Sequence, residues 1–217
     1  MYHLLAPRYV ASFDVDAQKT FTPLCPNELP VPRGTEIVEP LNQQAQWASV
    51  RIASKDSHSA KALWVANEKH PPLEQIAGLN MDLRWPVHAV PGTLGFELLD
   101  GLPRISEYDY VVWKGVELDM HPYGACYHDL KEQLSTGVIE FLRVREIQTV
   151  LVGGLATEYC VKTTALQLQK AGFQCVLNLA ACRGIDPIAI QKALDEMQAA
   201  GIKVVQSTDD FTRAHSE

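Results

Sequence analysis

The strongest constraint on the fold of this chain is a repeated alternation of short, wholly apolar segments with longer amphipathic ones. Six short segments are rich in β-branched and apolar residues: Tyr9–Val15, Val50–Ser54, Tyr110–Trp113, Thr149–Gly153, Cys175–Ala180 and Lys203–Gln206. Strands covered on both faces read as continuous apolar runs, whereas half-exposed strands alternate apolar and polar residues. The pattern therefore predicts buried parallel strands.

The segments between these runs predict helices, because apolar or small residues recur every three or four positions. They are Thr157–Ala171, Asp186–Ala200, Gly137–Glu146 and about Glu39–Ala48. Gly172 and Gly201 follow the first two, at the position where glycine ends helices. Strand–helix alternation along the chain predicts an α/β fold: a three-layer α/β/α domain over residues 1–217, with a mostly parallel, doubly wound sheet of about six strands.

Charge and cysteine usage limit the classes of partner. The net charge is −7, which favours neither nucleic acid nor an anionic membrane surface. No apolar run approaches the ~18 residues of a membrane helix, and residues 1–10 lack a signal-peptide pattern. The five cysteines are odd in number and form no CxxC pair, which is typical of a reduced, cytoplasmic protein. We expect a small-molecule substrate, and a homo-oligomer is compatible with the sequence.

Residues with chemical potential follow four of the predicted strands. Asp16 follows the first, Asp56 and His58 the second, Lys114 the third, and Cys160 the turn after the fourth. In doubly wound sheets, ligands bind beyond the carboxyl ends of the strands. The sequence therefore predicts that these side chains converge on one edge of the sheet.

Cys160 lies where a strand ends in Gly153 and Gly154 and a helix begins, with Thr157 as the expected cap. A thiol in the first helical turn is near free backbone N–H groups and the positive end of the helix dipole, which favour the thiolate. The same N–H groups can stabilise an oxyanion. The alternative is a small residue that packs a helix start.

Asp16 and Lys114 each allow a structural and a catalytic interpretation. Asp16 either caps a turn or accepts the thiol proton and delivers it to a leaving amine. Asp14, two residues earlier, is the rival carboxylate. Lys114 follows a very apolar run, so its ammonium group either reaches solvent or is held in a site as a fixed positive charge.

Asp56, His58 and His88 form a candidate metal site. One carboxylate and two imidazoles suit zinc, manganese or iron and leave positions open for water or substrate. The Asp-x-His spacing is not diagnostic by itself, and a chance grouping is the alternative.

Five motifs occur in an order that resembles the isochorismatase-like hydrolase superfamily and, within it, the nicotinamidase (pyrazinamidase) family. They are Val15-Asp16-Ala17-Gln18 with Phe21, Asp56-x-His58, Trp85-Pro86-x-His88 with Gly92-Thr93-x-Gly95, Lys114-Gly115, and Gly154-Leu155-Ala156-Thr157-Glu158-Tyr159-Cys160-Val161. The resemblance covers roughly residues 9 to 182. One departure is Lys19-Thr20, where members of the family commonly have Asn-Asp.

The resemblance implies a catalytic triad of Asp16, Lys114 and Cys160. The cysteine would attack a carboxamide carbon, ammonia would leave, and water would hydrolyse the thioester. It also implies an oxyanion hole formed by the backbone N–H groups of Ala156 and Cys160, with a cis peptide bond before Ala156.

The resemblance further implies one divalent metal ion held by Asp56, His58 and His88, with zinc expected first and manganese or iron as alternatives. The ion would hold the pyridine nitrogen of the substrate. Glu68 and His70 are candidates for a fourth ligand. The remaining histidines are expected at the surface or in structural roles: His3, His121, His128 and His215.

The resemblance also assigns a substrate pocket and a reaction. Phe21 and Trp85 match the aromatic residues that sandwich the nicotinamide ring, and Tyr123 is a further candidate for the pocket. The expected reaction converts nicotinamide, and possibly pyrazinamide, to the acid and ammonia in NAD salvage. The alternatives are another isochorismatase-like amidase, such as an N-carbamoyl amide hydrolase, or a non-catalytic protein that binds nicotinamide or metal.

Overall fold

A computed structural model describes residues 1–78 and 80–213, and its strands form one large and one small sheet. The large sheet contains six strands in the order β4-β3-β2-β5-β6-β7, and all its neighbouring pairs are parallel. In chain order the strands are β1 (Tyr2–Leu4), β2 (Val10–Val15), β3 (Val50–Asp56), β4 (Tyr110–Lys114), β5 (Thr149–Leu155), β6 (Gln174–Arg183), β7 (Lys203–Val205) and β8 (Phe211–Arg213). The predicted six-stranded parallel sheet is confirmed.

Helices cover both faces of the large sheet. They are α1 (Val38–Ala45), α2 (Val138–Val144), α3 (Lys162–Lys170) and α4 (Pro187–Ala199). Apolar residues of α2, α3 and α4 share one core with alternate residues of the strands, whereas α1 packs in a second core with Leu155 and Ala181 on the other side. This arrangement confirms the three-layer α/β/α prediction. No helix in the described ranges is both long and apolar enough to cross a membrane.

Local signals explain how the longest helix begins. The Asp186 carboxylate accepts hydrogen bonds from the backbone N–H groups of Ile188 and Ala189, each at 2.8 Å, and Pro187 occupies the first turn. A carboxylate at the N-cap satisfies N–H groups that have no partner within the helix. The predicted start of α4 is therefore confirmed.

The segment expected to be one helix from Thr157 begins differently. Residues Thr157–Val161 form a π-helical turn, and only then does α3 start. Ala156 is the last extended residue, and its carbonyl accepts hydrogen bonds from the N–H groups of Tyr159 and Val161 at 3.1 and 3.2 Å. The prediction that Thr157 caps this helix is wrong, because the change to helical backbone occurs one residue earlier and no side chain caps the turn.

The small sheet was not predicted. β1 and β8 pair in parallel, with Tyr2 opposite Phe211, and the Phe211 ring contacts Tyr2 and Trp47. Strands of three residues are too short to show a periodic pattern. This pairing joins two segments about 200 residues apart in the chain.

Candidate active site

The carboxyl ends of the central strands meet because of the parallel register. Asp56 lies opposite Lys114 across β3 and β4, and Val15 lies opposite Gly154 across β2 and β5. At Gly154 the backbone has φ 143°, and an added Cβ would overlap the Val15 carbonyl oxygen. Glycine therefore allows the close approach that brings the turn containing Cys160 near Asp16.

Asp16, Lys114 and Cys160 form one buried group. The Lys114 Nζ lies 3.0 Å from Asp16 Oδ2 and 3.6 Å from Cys160 Sγ. One ligand atom from each of Asp16, Asp56 and Cys160 lies within 4.8 Å of the others. The predicted triad residues are thus brought together, with a thiol, a carboxylate and an ammonium group at contact distances.

Asp16 is held by the end of the neighbouring strand. Its Oδ1 accepts a hydrogen bond from the Ser54 hydroxyl at 2.6 Å, and its backbone N–H donates to the Ser54 carbonyl at 3.2 Å. Asp16 has a left-handed backbone with φ 45°, a conformation that is uncommon for residues other than glycine and that frequently occurs at functional sites.

The rival carboxylate, Asp14, has a structural environment. Its Oδ2 accepts hydrogen bonds from Arg51 at 2.7 Å and from the Tyr108 hydroxyl at 2.8 Å. Asp14 is fully buried beside these two partners. The sequence allowed either carboxylate to act beside the thiol, and in the structure Asp16, not Asp14, contacts Lys114.

Lys114 does not reach solvent. Its side chain has no exposed surface and pairs with both Asp16 and Asp56. Burial lowers the pKa of this ammonium group, but the charges of Asp16 and Asp56 outweigh this effect and raise the pKa well above its usual value. The lysine is a fixed positive charge between two carboxylates.

The thiol differs from the sequence-based expectation. Burial raises the pKa of Cys160 well above its usual value, the Lys114 charge opposes this shift, and the charges of Asp16 and Asp56 add to it. Burial and the two carboxylates thus act on the pKa of this thiol in the opposite direction from the predicted effect of the helix start. A resting thiol needs a proton acceptor, and burial also raises the pKa of the adjacent Asp16, with Lys114 opposing the shift.

Cys160 opens on an aromatic cavity that contains all three residues predicted to bind substrate. The lining residues are Phe21, Leu29, Asp56, Trp85, His88, His121, Tyr123, Ala156, Tyr159, Cys160 and Ile185. The Trp85 indole N–H donates to the Tyr123 hydroxyl at 3.2 Å, and that hydroxyl donates to Asp82 at 2.7 Å. Tyr159, which the sequence reasoning did not single out, stands perpendicular to Trp85 with ring centroids 5.3 Å apart.

The turn predicted to form an oxyanion hole lies beside the thiol. The Leu155–Ala156 peptide bond is cis, as the resemblance implies. Ala156 and Cys160 both line the cavity. The two residues predicted to form the oxyanion hole are thus both part of the cavity wall.

The predicted metal ligands lie next to this group. Asp56 Oδ1 is 3.4 Å from His58 Nε2, and Asp56 Oδ2 is 3.7 Å from His88 Nε2. The Nδ1 atoms are engaged by backbone carbonyls, with His58 on Gly115 at 2.9 Å and His88 on Pro86 at 2.7 Å. An Nδ1–H held in this way leaves the Nε2 lone pair for a metal. His58 Nε2 has no hydrogen-bond partner within the described residues, so the donor set fits a divalent ion.

His121 is the main correction among the histidines. It was expected at the surface or in a structural role, and its burial excludes the surface; its ligand atom lies within 4.8 Å of those of His58 and His88. It follows β4 in a loop without periodicity, so no local pattern indicated this position. The fourth-ligand candidates are not near: Glu68 is exposed, and His70 is exposed and pairs with Glu74 at 2.9 Å.

The other histidines have no contact with the site among their described interactions. His3 is exposed and pairs with Thr212 at 2.8 Å, and His128 is partly buried. His215 lies outside the described residues.

Lys19-Thr20 is the point where the sequence differs from the Asn-Asp common in the family, and Thr20 supports the loop that carries His88. The Thr20 hydroxyl donates to Glu28, and both groups accept a hydrogen bond from the Ala89 N–H, at 3.1 and 3.0 Å. Lys19 instead pairs with Glu97 at 2.9 Å and with Asp100 at 3.0 Å. Thr20 and Glu28 thus fix the backbone directly after a predicted metal ligand.

Gln18, in the first motif, positions Asp56. Its side-chain amide donates to the Asp56 carbonyl at 2.9 Å and accepts from the Asp56 N–H at 2.7 Å. Trp64, which no motif included, is fully buried with its ring centroid 4.7 Å from that of His58 and 4.5 Å from that of His121. Gln18 thus holds Asp56 by hydrogen bonds, and Trp64 holds the imidazole rings by packing.

Comparison with known sequences identifies the family. A sequence model of the isochorismatase domain matches residues 11–209. The nicotinamidase of Escherichia coli is 32% identical over 205 residues, which are 90% of this chain and 93% of that protein. The chain belongs to the isochorismatase family, among the nicotinamidases. This membership confirms the resemblance that the ordered motifs indicated.

Solved structures of other nicotinamidases and pyrazinamidases have the same fold. The Acinetobacter baumannii nicotinamidase/pyrazinamidase superimposes with a TM-score of 0.86 at 30% identity, over 94% of this chain and 98% of that one. The yeast nicotinamidase bound to the inhibitor nicotinaldehyde has a TM-score of 0.80 at 27% identity, over 90% and 99%. The Pyrococcus horikoshii pyrazinamidase in complex with zinc has a TM-score of 0.73 at 30% identity, over 91% and 99%.

Proposed function

We propose that this chain hydrolyses nicotinamide to nicotinic acid and ammonia through a thioester on Cys160. The observation that carries the proposal is the buried contact of Lys114 with both Asp16 and Cys160, next to an aromatic cavity. A chain that only binds nicotinamide has no need of a buried nucleophile with a proton acceptor and a fixed cation. The relatives described above are themselves nicotinamidases.

In the proposed reaction, the pyridine ring binds in the cavity that contains Phe21, Trp85 and Tyr123, with the carboxamide beside Cys160. Asp16 accepts the thiol proton, and Sγ forms a bond to the carboxamide carbon. The N–H groups of Ala156 and Cys160 receive the oxygen that becomes negative. Asp16 then returns the proton to the departing nitrogen, ammonia leaves, and water cleaves the thioester to release the acid and the thiol.

Lys114 supports each charged state without transferring a proton. Its pKa is raised well above the usual value, because the surrounding carboxylates outweigh the effect of burial. The ammonium group therefore stabilises the Asp16 carboxylate before the transfer and the thiolate during it. Because the ammonium group already lies 3.0 and 3.6 Å from these two partners, little rearrangement is needed.

Asp56, His58 and His88 are the groups that would hold a divalent metal ion, zinc first, with manganese or iron as alternatives. When bound there, the ion supplies a Lewis acid for the pyridine nitrogen of the substrate and so fixes the ring. The zinc complex of the Pyrococcus horikoshii pyrazinamidase supports this choice. This donor set also favours a pyridine carboxamide over an N-carbamoyl amide, which lacks a ring nitrogen to bind.

A reaction of this kind returns nicotinic acid for reuse, so we place it in nicotinamide salvage to NAD in the cytoplasm. The five cysteines are all free and buried, which suits a reducing compartment. Pyrazinamide differs from nicotinamide by one ring nitrogen, and we expect it to be a second substrate.

The test is release of ammonia and nicotinic acid in equal amounts from nicotinamide, with pyrazinamide and an N-carbamoyl amide as comparison substrates. Cys160→Ala should abolish release, and Asp14→Asn is the matched carboxylate control because Asp14 pairs with Arg51 away from the thiol. Hydrolysis by Cys160→Ala would exclude the thioester. Preference for the N-carbamoyl substrate would exclude the nicotinamidase assignment.

A further inference from the structure

The His121 ring is held in one orientation at the edge of the cavity. It lies nearly parallel to the His58 ring, with an interplanar angle of 19° and centroids 5.1 Å apart. It is also nearly parallel to Trp85, at 16° and 5.9 Å. The edge of Trp64 contacts it at 4.5 Å between centroids, and its backbone N–H donates to the Asn80 carbonyl at 2.8 Å. These contacts leave the ring little freedom to turn away.

Neither ring nitrogen of His121 has a hydrogen-bond partner among the described residues, although the residue is only 4% exposed. Buried polar atoms are nearly always satisfied, and an unsatisfied one calls for an explanation such as an ion. His58 and His88 differ in this respect, because each has its Nδ1 engaged by a backbone carbonyl. His121 thus has two nitrogens available at a site where its neighbours offer one each.

The three imidazoles are near enough to share one ion. A ligand nitrogen from each of His58, His88 and His121 lies within 4.8 Å of the other two. Two nitrogens bound to one zinc ion at about 2.05 Å in tetrahedral geometry are roughly 3.3 Å apart. Ring movements of about an ångström therefore bring the three nitrogens into a common coordination shell.

We infer that His121 is an additional protein ligand of the divalent metal ion, so that the site has three imidazoles together with the Asp56 carboxylate. The inference rests on the metal site of the proposed function and adds a ligand from a separate loop, after β4. A zinc ion can expand to five ligands, which leaves one position for the pyridine nitrogen. His121 then also links the metal to the Trp85 wall of the cavity, because the two rings are stacked.

Direct metal binding tests this inference without relying on turnover. The metal-free wild type, His121→Ala and His121→Gln are titrated with Zn²⁺ and Co²⁺ against a chromophoric chelator. We expect both variants to bind at least about 100-fold more weakly, beyond the usual effect of residues that only support a ligand. The visible absorption of bound Co²⁺, which reports the number and type of ligands, should change in both. Circular dichroism and thermal unfolding verify the fold.

His70→Ala is the matched control, because His70 is an exposed histidine that pairs with Glu74. It should bind both metals as the wild type does. Wild-type affinity and an unchanged Co²⁺ spectrum in His121→Ala would overturn the inference. Wild-type affinity in His121→Gln would also overturn it, since glutamine keeps a hydrogen bond but is a poor zinc ligand.

The wild-type titration separates this inference from the proposed function. If the wild-type protein binds neither Zn²⁺ nor Co²⁺, both the metal site and the role of His121 are refuted, whatever the variants do. Ammonia release from nicotinamide by the wild type then decides the hydrolase assignment independently.

Discussion

Replacing Asp16 with asparagine should make Cys160 more reactive towards alkylation and at the same time nearly abolish turnover. Burial contributes most to the raised pKa of Cys160, and the negative charge of Asp16 adds to it. Asparagine has nearly the same shape, and its oxygen can still accept the hydrogen bond from Ser54. The substitution therefore removes the charge and the proton acceptor while it preserves packing.

The geometry sets the size of both effects. Ligand atoms of Asp16 and Cys160 lie within 4.8 Å of each other. Two unit charges at about 5 Å interact by roughly 3 kcal/mol at an effective dielectric constant of about 20. Lys114 offsets part of this energy, so we expect about a tenfold faster alkylation near neutral pH, which corresponds to about 1.4 kcal/mol. Loss of the proton acceptor should lower kcat/KM by about 10²–10⁴-fold.

The assay measures the rate at which iodoacetamide modifies the peptide containing Cys160, by mass spectrometry, in metal-free protein from pH 5 to 10. Ammonia release is measured on the same preparations with metal restored. Asp14→Asn is the control, because Asp14 is equally buried but pairs with Arg51 and Tyr108. It should lose about 2–4 kcal/mol of stability, since a partly buried arginine loses its partner, and keep the wild-type alkylation profile.

Two results would refute this reasoning. Alkylation of Asp16→Asn at or below the wild-type rate would show that the carboxylate charge does not act on the thiol. A loss of turnover smaller than tenfold would show that another group accepts the proton.

Three other substitutions test the surroundings of the site. Lys114→Met should cost about 3–5 kcal/mol in urea unfolding, because it leaves two buried carboxylates without a cation; a loss below about 1 kcal/mol would contradict the fixed-charge role. Gly115→Ala should weaken Zn²⁺ binding in the chelator titration, since the glycine has φ 72° and an added Cβ would overlap the His58 ring; unchanged affinity would mean that the ring can move freely. Lys55→Met should raise stability by up to about 3 kcal/mol at pH 7, because burial lowers the pKa of Lys55 to about 8. As pH rises, Lys55 loses its proton at a lower pH in the folded protein than in the unfolded chain. The stability gain of Lys55→Met should therefore be complete below pH 8 and disappear as pH rises towards 10.5, the pKa of lysine in the unfolded chain. A gain that is constant with pH would refute the electrostatic cause.

The sequence by itself determined the fold class and most of the candidate site. The strand preceding each of Asp16, Asp56, Lys114 and Cys160 is a short apolar run, and parallel strands present their carboxyl ends at one edge. That topological rule, together with the order of the family motifs, is enough to predict that these four residues lie close together. The aromatic residues Phe21 and Trp85 followed from the same motifs, whereas Tyr123 was a candidate from its loop alone.

The tertiary structure decided which of several chemically similar groups enters the site. In the sequence, Asp14 and Asp16 are both carboxylates near the end of a strand. Only their contacts distinguish them, because Asp14 pairs with Arg51 and Asp16 pairs with Lys114. The pKa of the thiol likewise depends on burial and on the charges of Lys114, Asp16 and Asp56.

His121 and His70 show the same limit most clearly. Both are single histidines in loops without periodicity, yet one is buried against His58 and the other is exposed beside Glu74. Local patterns record which residues share a face or a strand end. The packing of a long loop against distant elements depends on contacts between residues far apart in the chain, which only the folded structure brings together.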